Sequence, residues 1–297
     1  MIAHINTPRS MHYSKREASR LKALHPCDDT MSFVNNYTPP AGPNLPILPE
    51  SEMYGPDPYD VNFAFPLHLG SLESERVRLT PFIPAIHAGA YWEGIEPHLT
   101  EIFRYFPITM PATLAEFLSY VEKYYRSNPE FIMFAIIDKT RRDETRPELG
   151  GSVAGVIALL RASVAQLMAE IGYVVILPDF QRTHVASNAV GILLEYCLQL
   201  PTASPPGLGL RRVHWTVHPD NTASKRLAQR LGFKHEGVLR WTWVLPQSRS
   251  SEGNPPREGD SYAPRGGLDT VYMGHCWDDW ENGGREMTQR AIDRQMV

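Results

Sequence analysis

The sequence predicts an α/β domain, a sheet flanked by helices, and three observations carry that prediction. First, His218 to Arg240, HPDNTASKRLAQRLGFKHEGVLR, reads as a strand end, a capped helix, a glycine stop and a second strand. Pro219 and Asp220 break the first strand, the Asn221 side chain suits the amides of a helix start, and Gly232 suits the left-handed position that closes a helix. Second, two apolar runs at 131–138 and 152–160 flank a charged connection and read as a hairpin. Third, the stretch 185–200 places Val185, Ala189, Ile192, Leu193, Tyr196 and Leu200 on one helical face.

The remaining elements follow in order. Residues 1–24 are basic, with Arg9, Lys15, Arg16, Arg20 and Lys22 against Glu17. They read as a leader, with a mitochondrial presequence or a start at Met31 as alternatives. Eight prolines between Pro39 and Pro66 exclude a helix or central strand there, so residues 1–71 form a Pro-rich arm whose Val61, Phe63, Phe65 and Leu67 pack on the domain. The domain runs over 72–280. It opens with a strand at Val77 and Leu79, followed by helices near 84–92 and 113–126, the second with Leu114, Phe117, Leu118, Val121 and Tyr125 on one face. After the hairpin come strands at 168–177 and 211–218, the capped helix, and a strand at 234–245. A long Ser-, Gly- and Pro-rich insertion occupies 246–269, a last strand 270–277, and a tail 281–297.

Composition narrows the function classes. A chain of 297 residues with 42% hydrophobic content buries a sizeable core, and a net charge of -4 gives no reason to expect a nucleic-acid or anionic-membrane binder. Three widely spaced cysteines argue against a disulfide framework and for a reducing, cytoplasmic setting. No apolar run approaches the ~20 residues that span a bilayer. His214 and His218 share a strand face, yet four residues at ~3.3 Å each separate them by about 13 Å, too far to share a metal, so no metal site is expected. Trp241 and Trp243 share a face of their strand and read as core, with an acceptor-pocket lining as the alternative. Oligomeric state is not encoded in any readable pattern.

Asn221, Ser224, Leu227, Leu231, Gly232 and Phe233, followed by Glu236, Gly237 and Arg240, match N-x-x-S/A-x-x-L-x-x-x-L-G-F and E-G-x-x-R. This resembles the fourth-helix signature of the GNAT superfamily of acyl-CoA-dependent N-acetyltransferases, particularly its Rim-type branch, which acetylates protein N-termini. The opening LESERVRL and the closing LDTVYMGHCWDDW are similar to the same branch. The resemblance implies a mixed, largely antiparallel sheet flanked by helices, acetyl-CoA as cosubstrate, no metal, and an amine acceptor. That acceptor is a protein N-terminus, with a small-molecule amine as the alternative.

It also implies a site. The pyrophosphate is expected at the turn Gln181, Arg182, Thr183, His184, Val185 and Ala186, which is similar to R/Q-x-x-G-x-G/A except that His184 stands in place of the first glycine. The reading is that the His184 side chain packs or points outward while the backbone still binds phosphate. The alternative is a non-catalytic protein of the same fold. Val175, Ile176 and Leu177 are expected to pair with the pantetheine arm, and Asn221 to contact it. Glu170 is expected as a base acting through water, and Ser224 beside the CoA sulfur. The alternatives are a surface charge for Glu170 and a capping hydroxyl for Ser224.

Overall fold

The computed structural model describes residues 34–37 and 46–294. The leader at 1–24, the Met31 start and Pro39, Pro40 and Pro43 lie outside the described residues. A compact unit comprises residues 42–297; of the preceding unit, only 34–37 are described, without regular structure.

One seven-stranded sheet organises the compact unit, in the order β1-β2-β3-β4-β5-β7-β6. The strands are β1 (Val77–Pro81), β2 (Ile132–Asp138), β3 (Ser152–Ser163), β4 (Met168–Ile176), β5 (Arg212–Val217), β6 (Lys234–Val244) and β7 (Gly267–Cys276). Every pair is antiparallel except β4 with β5. All of β2 is buried and so is most of β3, which explains why both read as continuous apolar runs rather than alternating ones. The helices are α1 (Pro84–Ile95), α2 (Leu99–Phe103), α3 (Leu114–Tyr120, running on through a π-helical stretch Val121–Arg126), α4 (Val185–Leu198), α5 (Thr222–Arg230) and α6 (Arg285–Asp293).

Local chemistry sets the helix ends. Thr113 caps α3 by accepting from Glu116 N at 3.2 Å, and Asn221 caps α5 by accepting from Ser224 N at 3.1 Å. Gly232, at φ 85°, lets the chain turn out of α5 and straight into β6. Residues 46–71 lie against the domain: Leu48 N donates to Ser119 Oγ, Tyr59 to Glu122, and Phe65 is buried in the core.

Several expected boundaries and surfaces differ. The helix expected over 185–200 ends at Leu198, because Gln199 turns extended ahead of Pro201. The last strand begins at Gly267, so the insertion is shorter than expected, and its neck is closed by Leu245 N donating to Gly266 O. Residues 285–293, expected within a tail, form α6, whose Ile292 is buried beside Gly191 of α4. Trp241 and Trp243 do not share a face. In β6 the span from Leu239 to Trp243 faces only Thr270 to Leu268 of β7, and the resulting bulge leaves Trp241 at φ 56° and half exposed.

Candidate active site

The parallel pairing of β4 with β5 lasts only from Met168↔Arg212 to Glu170↔His214. Beyond it, β4 follows β3 and β5 follows β7, so the two strands part. On the β4 side, Gly172 to Val175 spans Ala158 to Val156 of β3, three steps against two, and the bulge places Tyr173 at φ 48°. A cavity of about 1110 Å³ fills the resulting gap. Its walls include Gly172 to Ile176, Trp215 to His218 and the start of α5.

Glu170 sits where the strands separate, and it is buried, not a surface charge. Thr216 Oγ1 donates to Glu170 Oε1 at 2.5 Å, His214 Nε2 lies 3.4 Å from Oε2, and Arg161 pairs with the same carboxylate. Burial is the largest single influence and would raise its pKa. The hydrogen bonds from His214 and Thr216 and the charge of Arg161 together outweigh it and hold the carboxyl below the usual range. Glu170 is therefore ionised at neutral pH.

Across the gap, Trp215 Nε1 donates to Ser224 Oγ at 3.0 Å. The hydroxyl accepts that bond, which leaves its own proton to donate elsewhere. The capping role of Ser224 is carried by its amide, so the cap and a free hydroxyl coexist.

At the other end, the first turn of α4 presents amides without intrahelical partners, and the helix dipole favours an anion there. Arg182, at φ 59°, Arg226 and Arg230 one turn apart on α5, and Arg290 and Arg294 from α6 and its end all line this cavity. Counting Arg104 and Arg161, seven arginines line it against two carboxylates, Glu101 and Glu170. Asn188 holds the two helices together: its Nδ2 donates to His184 O and to Ile292 O.

Of the residues expected at the site, Glu170, Val175, Ile176, Gln181, Arg182, Thr183, Ala186, Asn221 and Ser224 all line this one cavity. Three expected side chains do not. Leu177 N is already bonded to Ala154 O at 2.9 Å and its side chain packs under Gly94, so it has no amide left for a pantetheine. Val185 is fully buried, with its amide donating to Thr183 Oγ1. His184 turns its ring inward toward Asp138 rather than outward. Sequence reasoning missed Arg226, Arg230, Arg290 and Arg294, although both pairs sit at i, i+4 spacing. It also missed Arg161, His214 and Thr216, which contact Glu170 only through the sheet register.

Residues 76–234, more than half of the chain, match the family model described as an acetyltransferase (GNAT) domain. The chain belongs to the GNAT acetyltransferase family. It is similar to a GCN5-related N-acetyltransferase from Brucella melitensis, with 26% identity over 75% of this chain and 85% of that one and a TM-score of 0.57. Its fold is also like that of Mycobacterium smegmatis RimJ, solved in complex with CoA-disulfide, at 17% identity over 74% of this chain and 91% of that one, TM-score 0.53. A shorter stretch of 72 residues is 40% identical to the uncharacterized N-acetyltransferase YoaA of Bacillus subtilis; the match spans 24% of this chain and 36% of that relative. This GNAT chain accordingly carries an acetyltransferase domain.

Acetyl-CoA fits the site as built. The arginine-rich end beside the α4 amides suits phosphates, the bulged edge of β4 suits an extended arm, and Ser224 and Glu170 both line the cavity. Among the described residues, no helix is long and apolar enough to cross a membrane.

Proposed function

We propose that this protein acetylates the α-amino group of a protein or peptide N-terminus, as Rim-type enzymes do, by direct attack of the amine on the thioester. The observation that carries the peptide reading is that the cavity adjoins a second pocket of about 390 Å³, sharing Arg104, Tyr105, His218 and Leu268 with it. The β6–β7 insertion walls that pocket through Arg249, Glu252, Gly253 and Asn254. Arg249 clamps the insertion by donating to Arg104 O at 2.8 Å and to Phe106 O while pairing with Glu252 at 2.6 Å. An acceptor longer than one residue would extend from the cavity that Glu170 lines into this neighbouring pocket.

The thioester supplies the activated acyl group, and the chain's residues handle protons and charge. Glu170, ionised, takes the ammonium proton through water and releases a neutral amine. Amides on the bulged segment of β4 stabilise the oxyanion. Ser224, its oxygen already engaged by Trp215, donates a hydrogen bond to the departing thiolate, which takes up the proton that the attacking nitrogen releases as the amide forms. Ser224→Ala is expected to lower kcat by about tenfold to a hundredfold while leaving the KM for acetyl-CoA unchanged, measured by steady-state release of free thiol.

A second reading, a small aromatic amine, is favoured by the rings of Tyr105, Phe106, Tyr120, Tyr124 and Trp243 along the acceptor end. Polyamines are disfavoured by the excess of arginines over carboxylates. A panel of N-terminal peptides, arylalkylamines and spermidine decides. The peptide reading expects the highest kcat/KM on peptides, and replacing 247–265 by a short glycine linker should raise peptide KM without changing acetyl-CoA affinity. Preference for arylalkylamines with and without the insertion overturns it.

A further inference from the structure

A segment that precedes the residues matching the family model is fastened to one helical stretch of the domain. Lys123 Nζ donates to Pro46 O at 2.6 Å, Leu48 N to Ser119 Oγ at 2.8 Å, Tyr59 Oη to Glu122 Oε1 at 2.8 Å, and Asn62 Nδ2 to Arg126 O at 2.9 Å. Ser119, Glu122, Lys123 and Arg126 stand at i, i+3, i+4 and i+7, so the segment 46–62 lies along one face of α3 and its π-helical continuation. Tyr120 and Tyr124 occupy the next face, and with Tyr125 they line the cavity. Tyr120 stacks on Tyr124 at 5.2 Å between ring centroids, Tyr124 on Phe131 at 5.3 Å, and Tyr125 meets Tyr173 of the β4 bulge edge-on at 5.8 Å.

Glu122 is the point on which the segment closes. Its carboxylate is buried; Arg126 pairs with Oε2 and Tyr59 donates to Oε1. Burial and the charge of that carboxylate push the Tyr59 phenol well above its ordinary value, so it stays protonated and acts as the donor. Gly55, at φ 71°, passes so close that a Cβ would meet the Tyr59 ring at 2.6 Å and Glu122 Oε2 at 3.1 Å. The stretch Val121–Arg126 is π-helical, a rare geometry that concentrates at functional sites. We infer that the segment 46–62 is a working part of the acceptor site, and that the Tyr59–Glu122 hydrogen bond sets the position of its aromatic wall. Neither residue lines the cavity, so both are positioning residues. Without the Tyr59 hydroxyl, Glu122 Oε1 is left buried and unpaired, which is costly. The helical stretch shifts to give that oxygen water, and Tyr120 and Tyr124, on the same turns, shift with it.

The inference rests on the proposed reading of the aromatic end as the acceptor end, so the test begins with acetyl transfer by the wild-type protein to the panel of peptides and amines. Absence of transfer to every acceptor rejects that reading and this inference with it. Given transfer, Tyr59→Phe should raise KM for the acceptor of highest kcat/KM at least about threefold, with KM for acetyl-CoA within about twofold of wild type. Gly55→Ala, which drives the Tyr59 ring off Glu122 from the other side, should shift acceptor KM in the same direction. Should Tyr59→Phe not fold, Gly55→Ala decides. Transfer with an unchanged acceptor KM in Tyr59→Phe overturns the inference alone. So does an equal rise in KM for both substrates, which marks general loosening, or a lower thermal midpoint with unchanged kinetics, which marks a merely structural contact.

Discussion

Glu170→Gln is expected to lower kcat by about 10²–10³-fold with little change in acetyl-CoA affinity. Glutamine keeps the size of the side chain and can still accept from Thr216, yet it cannot take a proton and cannot balance the charge of Arg161. Calorimetry and steady-state kinetics on the same preparation separate the two effects. The substitution also has a signature in pH. The folded pKa of Glu170 is depressed by its partners, so its carboxylate contributes stability above the unfolded value of about 4.3, and that contribution is lost as pH falls through the lower folded value. The wild-type thermal midpoint should therefore fall below about pH 4.3 more steeply than that of Glu170→Gln. Parallel slopes would show that the buried carboxylate is not ionised in the native state.

The second large effect is expected at Gly155. This residue adopts φ 152° in β3, and a Cβ there would meet Val175 O at 2.0 Å. That atom is backbone, not the end of a flexible side chain, so Gly155→Ala must displace the β4 backbone at the edge that lines the cavity. Strain and overpacking together are expected to cost on the order of 3 kcal/mol, read from denaturant unfolding. Acetyl-CoA affinity should fall along with stability, because Val175 and Ile176 are shifted. A stable Gly155→Ala variant with normal affinity would show that the β3–β4 register is not what shapes the site.

The contrast between these two positions illustrates what was legible in the sequence. Asn221 and Gly232 announced a capped helix because capping and helix termination are local, and both act as their types suggest. The apolar runs of β2 and β3 were equally plain, because strands buried on both faces leave little ambiguity. Glu170 was readable as a candidate, but its neighbours were not: Arg161, His214 and Thr216 reach it only through register between three strands. The bulge at Tyr173 and the positive φ of Gly155 left no compositional mark, because both follow from how β4 stays paired with β3 while parting from β5. The Arg290 and Arg294 pair was hidden in a short polar helix whose burial depends on α4, a tertiary fact. His184 was visible as an exception to a pattern, while the buried Asp138 that its ring faces lies 46 positions away in the chain.

In the proposed reaction the gap between β4 and β5 holds acetyl-CoA and an amine together, with Glu170 as the proton acceptor. The most direct measurement is mass-spectrometric detection of acetylated product after incubation with acetyl-CoA and an N-terminal peptide, comparing wild type with Glu170→Gln at matched CoA affinity. The expected result is one acetyl group on the peptide α-amine, formed by the wild type and nearly absent with Glu170→Gln. Equal product from both proteins would contradict it.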